Sequence, residues 1–201
     1  MGSGYLLSPM MLVINTAFDL YILLVLLRFL LQMLRADFYN PVSQFIVRLT
    51  TPPLRVLRRV IPSVACQDAA SIVLCLLLIY AKFVLMRLLE IPAVNIGSAM
   101  APIGAVSYGG LLVLCIADLI ALVFTVFLVA VIIQVIISWV SPGQYNPVIG
   151  LVNKLAAPVL NPIRKFIPPM GGIDLSPLFA SLLLLVAKML IVPPIIYLGS
   201  F

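Results

Sequence analysis

Apolar positions along this chain gather into four long stretches separated by short polar segments. The stretches run about Met10–Leu34, Ala69–Leu89, Leu111–Val140 and Pro177–Leu198. Each supplies the roughly 20 residues a helix needs to cross a hydrocarbon core about 30 Å thick. Between them the pattern becomes amphipathic at helical spacing, with Val42, Phe45, Ile46 and Leu49 on one side and Ser43, Gln44 and Arg48 on the other. This predicts an interfacial segment over about 41–61 and another over about 147–167. They are too short and too charged to cross, so they should lie in the headgroup plane with apolar faces down. Asn40 and Asn146 read as N-caps, with Pro41 and Pro147 at the first helical position, where a missing N–H does no harm. Pro52 and Pro158 should end or kink these helices, leaving second short pieces over 54–61 and 160–167.

The polar segments match because the chain repeats itself. A gapless displacement of 106 residues lays Arg28–Leu85 on Gln134–Ile191. Tyr39, Asn40, Pro41 and Val42 then fall on Tyr145, Asn146, Pro147 and Val148. Pro52 falls on Pro158, Arg58 on Arg164, Asp68 on Asp174 and Lys82 on Lys188. The period is too long for a solenoid unit and indicates an internally duplicated membrane protein. The expected architecture is all-α, with four transmembrane helices as two parallel two-span repeats and amphipathic interfacial helices in each intervening loop. The first repeat covers 1–95, an outer linker 96–110, and the second repeat 111–201.

Composition sharpens the class. The chain is 64% hydrophobic and only 9% charged, with mean hydropathy +1.28, against roughly 25% charged residues in soluble domains. The N-terminus has no Lys or Arg and the first apolar stretch is long, so no signal peptide is expected. Charge then sets orientation. One basic loop holds Arg35, Arg48, Arg55, Arg58 and Arg59, and the other Lys154, Arg164 and Lys165, whereas Ile91–Gly110 has no charge. Both loops are therefore expected in the cytoplasm and both termini in the periplasm. The net charge of +6 points to anionic membrane lipid as partner, without nucleic acid.

Candidate chemistry is sparse. With no His and six acidic residues, general bases and metal ligands are nearly absent, and no catalytic residue, metal or cofactor is expected. Cys66, Cys75 and Cys115 form no Cys-x-x-Cys pair and suit small apolar filling. The ionisable residues in the apolar stretches are the candidates, because an unpaired charge in hydrocarbon is costly. They are Asp19, Lys82, Asp118 and Lys188. Asp19 falls on Thr125 in the repeat, and Asp118 lies seven residues earlier on nearly the same helical face. Two accounts stand: Asp19 pairs with Lys82 and Asp118 with Lys188 inside the bundle, or the lysines snorkel to the headgroups. Arg28, Arg87 and Glu90 lie nearer span ends, where snorkelling accounts for them. Gly171 and Gly172 suit a tight turn before the fourth span, which Asp174 or Ser176 should cap.

Three motifs carry a resemblance: Arg-Ala-Asp-Phe-Tyr-Asn-Pro at 35–41, Leu-Arg-Arg-Val-Ile-Pro at 57–62, and Pro-Ile-Arg-Lys-Phe-Ile-Pro-Pro-Met-Gly-Gly-Ile-Asp-Leu-Ser-Pro at 162–177. Over nearly its whole length the chain resembles the YggT family of bacterial inner-membrane proteins, whose single-repeat relatives include the YlmG proteins. The resemblance implies an inner-membrane protein linked to osmotic or ionic stress tolerance and to organisation of membranes, division or nucleoids. A chloroplast relative has been tied to haem attachment on a cytochrome, but this chain has no His to ligate haem. Two functions stay open. One is a non-catalytic organiser whose loops grip anionic lipid and whose spans assemble with copies or with a membrane-protein partner. The alternative is a small ion channel or transporter lined by the intramembrane Asp and Lys residues.

Overall fold

The computed structural model describes residues 3–37, 40–59, 61, 68–140, 146–167 and 174–201. In chain order it contains α1 (Ser3–Met33), α2 (Pro41–Leu57), α3 (Ala69–Leu88), β1 (Ala93–Ile96), β2 (Ala99–Pro102), α4 (Tyr108–Val140), α5 (Pro147–Phe166) and α6 (Ser176–Gly199). α1, α3, α4 and α6 are long and apolar enough to cross a membrane, where the hydropathy pattern puts the four spans. Within the repeats α1 packs along α3 and α4 along α6; the repeats meet where α3 packs on α4 and α1 touches α5.

Both interfacial helices begin as expected. The Asn40 and Asn146 side chains accept from Val42 N and Val148 N, each at 2.9 Å, with proline at the first turn. They do not stop at their prolines. α2 runs unbroken through Pro52 and Pro53, and α5 through Pro158 and Pro162, so the separate pieces expected over 54–61 and 160–167 begin as continuations of α2, as far as Leu57, and of α5, as far as Phe166. An interior proline removes the hydrogen bond to the carbonyl four residues back. At Pro53 that carbonyl belongs to Leu49, and the Tyr21 hydroxyl of α1 donates to it at 3.3 Å. A freed carbonyl is tolerated where a neighbouring helix supplies a donor.

α2 carries three stripes rather than two faces. Ser43, Ile46, Thr50 and Leu54 are buried against the protein. Val42, Phe45, Leu49 and Val56 form an exposed apolar stripe, and Gln44, Arg48 and Arg55 an exposed polar one, with Arg59 exposed just past the helix end. Ile46 and Ser43, placed on opposite sides from the sequence, therefore share the protein-facing stripe.

The uncharged linker hides a β-hairpin. β1 and β2 pair antiparallel in the register Ala93↔Pro102, Val94↔Ala101, Asn95↔Met100 and Ile96↔Ala99. The two-residue turn is Gly97-Ser98, with φ +64° at Gly97, as tight hairpins demand. Ile96, Ala101 and Ile103 are fully buried, so the hairpin is packed into the bundle. A Cβ on Gly97 would stand 2.7 Å from Lys188 Cε and 3.2 Å from Ala121 Cβ. Only glycine satisfies both the backbone angle and the approach. Gly110, expected in the linker, is already within α4 and faces Gly199 of α6, whose carbonyl oxygen a Cβ at 110 would strike; small residues let helix backbones approach closely.

Candidate functional site

The intramembrane charges meet under the hairpin. Lys82 Nζ lies 2.8 Å from Asp19 Oδ1 and 3.1 Å from Asp118 Oδ2. The Lys82 side chain is 7% exposed, that of Asp118 17% and that of Asp19 57%. One ammonium from α3 thus bridges a carboxylate of its own repeat and one of the next. The Asp19–Lys82 pair is as expected. The expected Asp118–Lys188 pair is not formed: Asp118 serves Lys82, and Lys188 donates to Thr125 Oγ1 at 2.9 Å. The reason is the duplication itself. Thr125 occupies in α4 the place that Asp19 occupies in α1, and Lys188 the place of Lys82. The lysine reaches the equivalent position in both repeats, but only the first repeat has an acid there. Neither lysine snorkels away from the bundle.

Asp19, Lys82, Asn95, Gly97, Asp118 and Thr125, with three apolar residues, line a cavity of about 180 Å³. Asn95 and Gly97 come from the hairpin. Sequence reasoning missed them, although Asn-Ile-Gly-Ser (95–98) is a hairpin-turn signal. A second cavity, of about 200 Å³ and wholly apolar, lies in the seam between repeats, lined by α1, α3 and α4 residues including Leu26, Cys75 and Val123.

A second cluster lies at the basic end. Arg58 donates to Asp68 through Nε (3.3 Å) and Nη2 (2.5 Å). Arg164 donates to Asp174 Oδ2 through Nε (3.0 Å) and Nη2 (2.9 Å). These are equivalent pairs, so both arginines are tied to the foot of the following span as well as lying among the basic residues. Ser71 Oγ also donates to Asp68 at 2.7 Å. The N-cap position of the fourth span falls on Leu175, not on Asp174 or Ser176 as expected, but Asp174 Oδ1, one residue earlier, accepts from Ser176 N at 2.9 Å. Burial pushes the Asp68 carboxyl up, but hydrogen bonds from Arg58 and Ser71 and the charges of Arg58 and Arg28 outweigh it and hold the group below its ordinary value. At Asp174 burial is likewise outweighed by Ser176 and Arg164, and the carboxyl again stands low.

Arg28 does not snorkel. It is buried, and its Nη1 donates to Val47 O (3.2 Å), Thr50 Oγ1 (2.9 Å) and Thr51 Oγ1 (3.0 Å), fastening α2 to α1. Arg87 donates to Val106 O at 2.7 Å and lies over the Tyr108 ring. The Asn40 amide donates to Pro147 O at 2.5 Å, joining the starts of the two interfacial helices. Arg48 and Arg55 are exposed on α2, Arg59 just past its end, and Lys154 and Lys165 on α5. Cys75 and Cys115 are buried and free, and no cluster able to hold a metal occurs among the described residues. Gly171, Gly172, Tyr39, Tyr145 and Cys66 lie outside the described residues.

The duplication has its counterpart among known proteins. The family model CCB3/YggT matches twice, over residues 7–89 and 113–195, the same 106-residue displacement. The chain belongs to the CCB3/YggT family. Two bacterial relatives match along most of the chain: an uncharacterized protein of Pseudomonas aeruginosa is 45% identical over 186 residues, 90% of this chain and 86% of its own. YggT of Escherichia coli K12, also described as uncharacterized, is 38% identical over 176 residues, 88% of this chain and 85% of its own. A chloroplast YlmG homolog of Arabidopsis thaliana is 38% identical over 53 residues, 26% of this chain and 21% of its own. No solved structure matches. The membrane-spanning, two-repeat form of the family is thus the form of this chain.

Proposed function

We propose that this chain is a non-catalytic organiser of the bacterial inner membrane, acting through the paired interfacial helices. The basic end lies in the cytoplasm and both termini in the periplasm, by the bias of Lys and Arg toward the two loops. The observation that carries this reading is the three-striped α2. One stripe is fixed to the bundle by Arg28 and Tyr21, which leaves an apolar stripe for acyl chains and a basic stripe for anionic headgroups. Because Asn40 ties α2 to α5, the two helices act as one platform. A rigid lipid-gripping surface suits the tolerance of osmotic and ionic stress that the family resemblance implies.

The test is reconstitution of the full chain in bilayers of neutral or anionic lipid. Each Lys or Arg near an anionic surface contributes about 1 kcal/mol. Thermal stability should be higher in the anionic bilayer, and the combined variant Arg48→Gln, Arg55→Gln, Arg59→Gln should remove most of that difference. Equal stability of the wild type in both lipids would leave the arginines as topology signals alone.

A second reading, ion movement, is favoured by the polar cavity at Asp19, Lys82 and Asp118. Flux of monovalent cations into vesicles containing the purified chain, abolished by Asp118→Asn, is what it requires.

A further inference from the structure

The two repeats are joined head to tail, and each end of the stack leaves bare the face that the other repeat buries. On α3, Ile79 and Phe83 are fully buried, whereas their equivalents on α6, Leu185 and Met189, are 44% and 63% exposed. On α4, Val126 is buried, whereas its equivalent Leu20 on α1 is exposed. On α5, Leu151 and Leu155 are buried, whereas their equivalents Phe45 and Leu49 on α2 are exposed. At the basic end the relation reverses: Leu26 and Leu30 of α1 are buried and Ile132 and Ile136 of α4 are exposed. Repeats related by a two-fold axis would bury equivalent residues equally. A heterologous contact leaves one unused copy of each face and continues into a ring or a filament.

Bare apolar faces alone do not drive association in lipid, which is as apolar as leucine. The polar residues supply the direction. The in-chain cavity joins Lys82 of the first repeat with Ala121, Leu122 and Thr125 of the second. The equivalent positions at the open ends are Lys188 on one side and Asn15, Thr16 and Asp19 on the other. α1 thus carries three polar residues where a preceding repeat would be met, and Thr16 and more than half of the Asp19 side chain are exposed at span depth. Lys188, for its part, has the Thr125 hydroxyl and, among the described residues, no carboxylate in ion-pairing contact.

We infer that a second copy of this chain docks its α1 and α2 on the open α6 and α4 face, bringing its Asp19 toward Lys188. Under the in-chain packing, Asp19 of the next chain takes the place that Thr125 holds beside Lys82, two turns from that of Asp118, whose equivalent is Leu12, so the second lysine too gains an acid from a neighbouring repeat. Phe45 and Leu49 of the incoming copy cover Ile132 and Ile136, the exposed counterparts of the buried Leu26 and Leu30. This names a partner for the organising role and rests on that reading only for its purpose, since association is measured separately from lipid preference.

The test is cross-linking in native membranes by a short thiol-specific reagent, with Cys66, Cys75 and Cys115 replaced. Cys75 and Val123 line one cavity across the in-chain seam, and their equivalents are Ser181 and Ala17. The variant Ala17→Cys/Ser181→Cys should yield cross-linked dimers and higher species, and two differently tagged chains bearing one substitution each should link to one another. Each single variant alone should give no dimer. Adding Lys188→Met should sharply reduce the product while lowering the melting temperature of the chain in detergent far less than Lys82→Met does. Self-linking of Ala17→Cys or of Ser181→Cys would mean an isologous contact and overturn the inference, as would an absence of product from a double variant that melts like the wild type.

Discussion

The two repeats place the same lysine against the same position of the preceding span, yet one lysine meets a carboxylate and the other a hydroxyl. Lys82–Asp19 and Lys188–Thr125 span the same 63 residues, so the backbone geometry outlasted the change in chemistry. The comparison teaches that this position is set by the packing of two spans and that ionisation was added or lost upon it. At the basic end the reverse holds. Arg58–Asp68 and Arg164–Asp174 each span ten residues, and both chemistry and geometry are kept. The repeated pairs fasten the foot of a span within each repeat, whereas the asymmetric cluster ties one repeat to the other through Asp118.

The largest effect that would break this comparison is at Lys82. Lys82→Met leaves the Asp118 carboxylate buried without its cation, and removing one partner of a buried pair destabilises by about 3–5 kcal/mol. Lys188→Met removes one ammonium–hydroxyl hydrogen bond and strands no carboxylate, so it should cost less, about 1.5–3 kcal/mol at most. Thermal or denaturant unfolding in detergent compares the two. Similar losses at 82 and 188 would mean that the carboxylates do not distinguish the repeats.

Next in size are the basic-end arginines. Asp68 is buried and takes Ser71 as well as Arg58, whereas Asp174 is partly exposed. Arg58→Gln should therefore destabilise by about 1–3 kcal/mol, and Arg164→Gln by about 0.2–1 kcal/mol, as for exposed pairs. A larger loss at Arg164 would contradict the burial difference.

Acid should act on the same pairs. Both carboxyls stand below the ordinary 3.8 in the folded chain, so the unfolded chain binds protons first as pH falls. Their stabilisation is complete above the unfolded value and is lost as pH drops through that value and then through the lowered folded one. Stability should fall below about pH 5, and Asp68→Asn should flatten that limb more than Asp174→Asn. An acid limb unchanged by Asp68→Asn would remove the group from the account.

Much of this was legible in the sequence because its signals are local. Apolar runs set the four spans, Asn-Pro set the starts of α2 and α5, and the 106-residue displacement set the repeat. Similar depth made the Asp19–Lys82 pair one of two accounts of that lysine, the other being snorkelling. What escaped depends on distant groups. α2 passes Pro53 because Tyr21, 28 residues from the freed Leu49 carbonyl, supplies a donor. Arg28 is held inside by Thr50 and Thr51 of another helix. The hairpin was overlooked because its strands are four residues each and sit in a linker judged by its lack of charge. Asp118 was assigned to the lysine of its own repeat, whereas the contact between α3 and α4 gives it the other.

The most direct test of the asymmetry is a double-mutant cycle on Lys82→Met and Asp118→Asn, read as unfolding free energy in detergent. If Lys82 joins the repeats through Asp118, the double variant should be more stable than the sum of the single losses predicts, with a coupling of about 0.5–3 kcal/mol. Losses that add to within about 0.3–0.5 kcal/mol would show two independent residues and contradict the account.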